Sequence, residues 1–176
     1  MKKTLLLILF TLFLSAPLYA QSKSNQHLKF MGIPIDGSIT NFQNKLIAKG
    51  FKYDKVGSQN IEGPTRIFKG QFAGESSQLF VYYDRDQKFV YSVGVCIDRD
   101  SEDDIINLMS NFISNYENKY GIDAEKGDDT YDFYFDNGRI RLFYDEQVYS
   151  YGYTLYILYT DYLNYNKYSQ NNMDDL

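Results

Sequence analysis

Two kinds of hydrophobic spacing recur along the chain, one typical of strands and one of helices. Residues 89–97 carry the clearest period-two pattern, which places apolar side chains on one face of a strand. The same alternation recurs at residues 66–72, 79–83, 131–135, 139–144 and 151–159. Residues 39–49 and 102–120 instead carry apolar side chains three and four positions apart, which predicts two amphipathic helices.

Capping signals mark the ends of both predicted helices. Thr40 and Gln43 have the spacing of a capping box at the start of the first helix, and Gly50 follows its end. Ser101 precedes the second helix, and Gly121 ends it.

The order of these elements defines the predicted fold class. Asn137-Gly138 between two alternating runs predicts a hairpin with a type I′ turn. Strand runs joined by hairpins, with helices apart, predict an α+β protein rather than βαβ units. We expect one domain over residues 28–162, built from duplicated α-β-β-β units at about 38–98 and 101–160, with two helices packed against an antiparallel sheet.

The first 20 residues have the three parts of a secretory signal peptide. Lys2 and Lys3 precede an apolar run over residues 5–14, and Ala20 offers a small residue at the cleavage point. The run is too short to cross a bilayer, which needs about 20 apolar residues. The sequence therefore predicts a periplasmic or secreted protein, without stable membrane insertion once the peptide is cleaved after Ala20.

Polar segments flank the predicted domain. Residues 21–27 are expected to be a flexible N-terminal segment, and residues 163–176 a polar, Tyr-containing tail. A period-three run at the C-terminal side fits either one helical turn or an extended tail, and it comprises Tyr159, Tyr162, Tyr165 and Tyr168.

Charge and cysteine content narrow the partners. The formal net charge of −5 becomes −7 when Lys2 and Lys3 leave with the signal peptide, and this acidity argues against nucleic acid as a partner. Cys96 is the single cysteine, so the chain has no internal disulfide and no cysteine at the cleavage point to accept a lipid. The core alone is expected to stabilise the fold.

The sequence carries no recognisable catalytic set. His27 is the sole histidine and lies in the segment expected to be flexible, where it is poorly placed for a catalytic triad. Acidic residues cluster at 98–104 and 123–129, where a calcium site is the functional alternative to helix capping and a solvated face. We favour capping, because the EF-hand spacing is absent, and we expect no cofactor, no metal site and no catalytic residue.

Tyrosine density near the C-terminus is the one feature that points to recognition, because tyrosine combines a large contact area with a polar tip. In the strand predicted over residues 151–159, Tyr151, Tyr153 and Tyr159 share one face, and Tyr156 lies on the other. The alternative is that these rings form sheet core. The candidate ligand-binding residues are Tyr149, Tyr151, Tyr153, Tyr156 and Tyr159.

Residues 30–39, followed by Phe42, Leu46 and residues 49–51, resemble the opening of small exported proteins of unknown function from Bacteroidota-type bacteria. The order of helix and antiparallel strands resembles, more weakly, the β-lactamase-inhibitor-protein-like fold, which includes BamE. The chain departs from the BamE family by lacking a lipid-acceptor cysteine. These resemblances imply an architecture and, by analogy, binding rather than catalysis.

Three functional hypotheses follow. The first is an exported, non-enzymatic binding module that recognises a protein or polymeric ligand, such as an envelope protein or glycan, through a Tyr-rich sheet surface. The second is a carboxylate-dependent hydrolase of cell-wall or glycan material, which requires two acidic residues in a cleft. The third is an envelope structural component that self-associates through an exposed strand edge. The oligomeric state stays open.

Overall fold

A computed structural model describes residues 26–147 and 152–173. The strands are β1 (Lys29–Phe30), β2 (Ile33–Pro34), β3 (Lys52–Asp54), β4 (Thr65–Phe72), β5 (Glu75–Tyr83), β6 (Val90–Arg99), β7 (Glu125–Lys126), β8 (Tyr131–Phe135), β9 (Gly138–Glu146) and β10 (Tyr153–Asp161). The helices are α1 (Ile39–Ala48), α2 (Lys55–Asn60), α3 (Glu102–Tyr120) and α4 (Tyr162–Met173).

Eight of the strands form one antiparallel sheet in the order β3-β4-β5-β6-β10-β9-β8-β7, and β1 pairs with β2 in a separate small sheet. The predicted α+β class, with helices packed against an antiparallel sheet, is confirmed. Each half of the chain begins with a helix (α1 or α3) and then contributes four strands to the sheet. The halves meet where their last strands, β6 and β10, pair side by side, with Val95 opposite Ile157. Each half thus contains one short outer strand more than the sequence predicts.

Capping explains where the two long helices begin and end. The predicted capping box at Thr40 is wrong, because the Ser38 hydroxyl accepts the bond from the Asn41 amide and α1 starts two residues earlier than that box implies. At the other end, the Phe51 amide donates to the Leu46 carbonyl at 3.1 Å, as in a Schellman motif. The bounds of α3 match the prediction.

The turn between β8 and β9 is not the type I′ turn that Asn137-Gly138 predicts. Phe135 pairs with Gly138, so the two turn residues are Asp136 and Asn137, and neither has the positive φ of a type I′ turn. Gly138 is instead required by close approach, because a Cβ there would lie 2.4 Å from the Thr160 carbonyl oxygen. The positive φ angles that define a type I′ turn occur at Ala73 and Gly74, between β4 and β5.

One face of the sheet forms the core beneath α1 and α3. Alternate strand residues on this face are fully buried, including Leu79, Val95, Leu142, Leu155 and Ile157. Aromatic rings link the helices to this face: the Phe72 ring stacks on Phe112 of α3 at 5.8 Å between centroids and on Phe30 at 5.4 Å.

A register shift in β6 changes which side chains reach the core. The alternation predicts that Tyr91 shares the core face with Val93, but the pairing with β5 shifts between Tyr82 and Tyr83. As a result Val90 is fully buried and Tyr91 is not. The bulge places the Tyr91 ring beside Tyr82, on the opposite face of the sheet.

The described parts of the two polar flanks, residues 26–27 and 163–173, differ from the sequence predictions. The predicted tail at 163–176 is helical as far as Met173, because the Asp161 carboxylate accepts the Asn164 amide at 2.9 Å and caps α4. The same buried carboxylate accepts the Leu28 amide at 2.7 Å and lies 3.0 Å from Nδ1 of His27. His27 is therefore held in place rather than flexible.

The predicted signal peptide over residues 1–20 lies outside the described residues. Within 26–147 and 152–173, none of the helices combines the length and the apolar character that crossing a membrane demands.

Candidate functional site

The face of the sheet opposite α1 and α3 is only partly covered, and we call it the open face. Strand register places Phe143, Tyr156 and Cys96 in one row across β9, β10 and β6, and Leu158, Gly94 and Phe80 in the next. Apart from Gly94, which has no side chain, these residues are partly exposed. The neighbouring strand residues that point to the other face, such as Leu142, Ile157 and Val95, are buried. The helix α4 crosses one end of this face, where Tyr168 stacks on Tyr91 at 4.3 Å.

The middle of the open face holds an apolar hollow of about 230 Å³. Its lining includes Ile61, Phe80, Tyr82, Gly94, Cys96, Phe143, Tyr156 and Leu158. The Phe143 and Tyr156 rings stack at 4.9 Å between centroids and form one wall. Gly94 lies at the floor of the hollow, where it has no side chain to fill the space. A Cβ at this position would meet only ordinary van der Waals contacts, at 3.6 Å and beyond.

A second cavity, of about 450 Å³, lies where the open face meets α4. Its lining residues are Tyr82, Tyr91, Ser92, Arg139, Leu158, Thr160, Tyr162 and Tyr165. Tyr82 and Leu158 border both this cavity and the apolar hollow, so the two adjoin and are treated together as one groove. We call it the aromatic groove. Its larger cavity falls within the usual range for ligand pockets, about 300–1,000 Å³.

Tyr82, Tyr91, Tyr156 and Cys96 in the aromatic groove are neutral at physiological pH, and partial burial raises their pKa values further. Desolvation raises the pKa of Tyr82, Tyr91 and Tyr156 above the ordinary tyrosine value of 10.0. Desolvation, with a smaller contribution from Asp98, also raises the pKa of the Cys96 thiol to about 12. The groove thus offers neutral hydroxyl groups and an unreactive thiol, a composition suited to binding rather than to nucleophilic attack.

Arg139 brings a positive charge to the α4 end of the groove. Its neighbour two positions along, Arg141, holds Asp132 through two parallel bonds of 2.8 and 2.9 Å. The Arg139 Nε atom lies 3.6 Å from an oxygen of the same carboxylate, and this buried nitrogen has no hydrogen-bond partner among the described residues. The Arg139 side chain is 26% exposed.

The structure separates the tyrosines that the sequence groups together. Tyr149 and Tyr151 lie outside the described residues. Tyr156 is on the open face, within the aromatic groove. Tyr159 is only 3% exposed, with its hydroxyl bonded to that of Tyr116 beneath α3, so it belongs to the core and not to a ligand surface. Tyr153 lies on the α3 side of the sheet, where its ring meets that of Tyr144.

Sequence reasoning missed most of the aromatic groove. Phe80, Tyr82 and Phe143 occupy the second face of strands whose first face is apolar, and a strand apolar on both faces is the signal that identifies them. Tyr91 had no such signal, because the bulge that moves it to the open face depends on pairing with β5.

Tyr153 contributes to another, wider groove of about 870 Å³ between the start of α3 and the ends of β8, β9 and β10. We call it the acidic groove, and Phe143 borders both it and the apolar hollow. The carboxylates of the acidic groove are those of Glu102, Asp128, Asp129, Asp145 and Glu146. Among residues 26–147 and 152–173, no three His, Cys, Asp or Glu side chains are grouped so that they hold a metal ion.

No family model, curated protein or solved structure matches this chain. The resemblances noted from the sequence therefore stay predictions, and the geometry of the site carries the functional argument.

Proposed function

We propose that this protein is an exported, non-enzymatic binding module that recognises a protein or polymeric ligand across the open face of its sheet. The aromatic groove carries the proposal. It joins two cavities, and stacked or partly exposed rings border it along its length. Aromatic side chains provide large apolar contact areas with little loss of rotamer freedom, and their hydroxyls bond polar ligand groups.

An elongated ligand fits this surface better than a small molecule does. The hollow and the cavity are both open to solvent, and they lie in line from the Phe143–Tyr156 stack to α4. A chain that runs along β10 from Tyr156 toward α4 contacts several rings at once, which gives affinity through many weak contacts rather than one deep pocket.

The proposal is tested by blocking the groove without removing a functional group. Gly94→Val adds bulk at the floor, in a strand where valine is favourable. Retention of the purified protein is measured on a panel of purified peptidoglycan, soluble polysaccharides in affinity gels, and immobilised envelope proteins. We expect Gly94→Val and Tyr156→Ser each to weaken retention on the polymer or protein that binds the unaltered chain by tenfold or more.

Tyr153→Ser is the matched control, because Tyr153 lies on the same strand as Tyr156 but faces the other way. Unchanged melting temperatures show that the variants fold. Failure of the unaltered chain to bind any member of the panel, or equal retention of Gly94→Val, contradicts the proposal. Loss of binding in Tyr153→Ser alone moves the site to the acidic groove.

The acidic groove favours a second candidate function, a carboxylate-dependent hydrolase. It places Glu102, Asp145 and Glu146 around one concavity large enough for a polymer segment. This candidate predicts release of soluble fragments from purified peptidoglycan or glycan by the unaltered protein, and loss of that release in Glu102→Gln or Asp145→Asn. Intact substrate after prolonged incubation removes it.

Self-association through a strand edge, the third hypothesis, finds little support. The outer strands β3 and β7 have three and two residues, so neither offers a long strand for pairing with another chain.

A further inference from the structure

We propose that the α4 end of the aromatic groove binds the carboxylate of an acidic sugar residue through Arg139. The inference rests on the proposed function and names its ligand class: a glycan that contains hexuronate or a similarly carboxylated sugar.

Arg139 can bind a ligand carboxylate because Arg141 already occupies the Asp132 carboxylate. Asp132 has two oxygens, and Arg141 bonds to both in parallel. That pair is electrically balanced, so the positive charge of Arg139 is left without a hydrogen-bonded counter-charge among the described residues. An arginine that lines a cavity and makes only a long ion pair, here 3.6 Å to Asp132, offers hydrogen-bond donors to a ligand carboxylate.

The surroundings of Arg139 favour one negative charge on the ligand. Among the described residues that line this cavity, Arg139 alone is charged at neutral pH, and its Nε atom lies 3.6 Å from the Asp132 carboxylate. A single guanidinium balances a monoanionic carboxylate, whereas a phosphate dianion retains an excess charge that Asp132 repels.

The other walls suit a sugar ring. Tyr82, Tyr162 and Tyr165 provide apolar ring surface and hydroxyls for a pyranose, while Tyr91 is stacked on Tyr168 and supports this wall. Burial raises the pKa of Tyr162, while Arg139 opposes this shift, so the hydroxyl stays protonated and donates at neutral pH. A cavity of about 450 Å³ accommodates a ligand of this size, and Leu158 leads from it into the apolar hollow where the chain continues.

The test compares two probes that differ in charge. Trigalacturonate and neutral galactotriose are titrated into the full protein, and their dissociation constants are measured by calorimetry at low and high salt. We expect the acidic trimer to bind at least tenfold more tightly at low salt, and this preference to shrink as salt screens the pair.

Variants assign the charge preference to one residue. Arg139→Gln is expected to weaken binding of trigalacturonate about tenfold and to leave binding of galactotriose unchanged, while Arg139→Lys retains part of the preference. Arg99→Gln is the matched control, since Arg99 pairs with Glu75 on a different part of the sheet. Arg141→Gln is expected to weaken binding of the acidic trimer as well, because it frees Asp132 to pair with Arg139.

Two different results separate this inference from the proposed function. Equal affinity of Arg139→Gln and the unaltered protein for trigalacturonate, or no preference for the acidic trimer, overturns the inference alone. A groove-filling Gly94→Val variant that binds every ligand of the unaltered chain normally overturns the proposed function instead.

Discussion

The hydroxyl oxygens of Tyr116 and Tyr159 lie 2.6 Å apart, in the buried region where α3 packs on β10. Each side chain is at most 6% exposed, so the bond satisfies two polar groups that water does not reach. The same contact shows why tyrosine density alone is a poor guide to a binding surface: in this core a tyrosine hydroxyl pairs with another.

This pair predicts a loss of stability at alkaline pH. Burial raises the pKa of Tyr116 and Tyr159 above 10.0 in the folded protein. Below pH 10 both folded and unfolded chains keep the phenolic protons, and the free energy of unfolding does not depend on these groups. Above pH 10 the unfolded chain loses them first, so unfolding becomes easier by about 1.4 kcal/mol per pH unit for each such tyrosine.

Urea unfolding at a series of pH values from 8 to 11 measures this effect. Tyr159→Phe is expected to have a lower free energy of unfolding at pH 8, because it leaves the Tyr116 hydroxyl unpaired, but a shallower decline above pH 10. Identical slopes for the variant and the unaltered protein contradict the assignment.

Removing the charge of Asp161 is expected to lower the free energy of unfolding. Its fully buried carboxylate accepts the Leu28 and Asn164 amides and lies 3.0 Å from the His27 ring nitrogen. We expect Asp161→Asn to lower the free energy of unfolding by about 2 to 3 kcal/mol, because an amide leaves at least one buried donor unsatisfied. The exposed Asp100→Asn is the control, and equal urea midpoints for both variants rule the prediction out.

Two glycines in the sheet predict different responses to substitution by alanine. An alanine Cβ at Gly138 would lie 2.4 Å from the backbone oxygen of Thr160, whereas at Gly94 the nearest atom is 3.6 Å away, in Tyr82. We expect Gly138→Ala to lower the free energy of unfolding by about 1 to 3 kcal/mol and Gly94→Ala to change it by less than about 0.5 kcal/mol. Thermal unfolding of both variants checks this, and a tolerated Gly138→Ala contradicts the close approach.

Cys96 predicts slow thiol chemistry despite its position on the open face. With a pKa of about 12, caused chiefly by burial, its thiolate fraction at pH 8 is about a thousandfold below that of an ordinary cysteine. We expect alkylation by iodoacetamide to be slower than in urea-unfolded protein by a similar factor. Labelling of folded protein at the unfolded rate shows that the thiol is neither buried nor shifted.

The sequence predicts best the elements that local hydrophobic periodicity and capping residues define. The α3 stripe and the cap at Ser101 are local signals, and the bounds of that helix were right. By contrast, α4 has no strong apolar stripe, and its start depends on Asp161, which also holds Leu28 from the far end of the chain. The bulge at Tyr91 likewise comes from pairing between strands, which a single sequence does not display.

The candidate site was predictable only in part for the same reason. Tyr156 and the doubly apolar character of β10 were visible in the sequence, and they pointed to the open face. Arg139 could not be identified from the sequence. Its role depends on the pairing of Arg141 with Asp132, which lie opposite each other on β9 and β8.

The pairing of β6 with β10 is the step that joins the two halves of the sheet during folding. Each half can form its own hairpins early, but β6 ends at Arg99 and its partner begins only at Tyr153. Until that partner arrives, the longest strand of the molecule has one side of its backbone unsatisfied. A truncated protein that stops before β10 thus leaves unpaired the eight β6 residues 92–99 that β10 pairs with, and such an edge can pair with other chains.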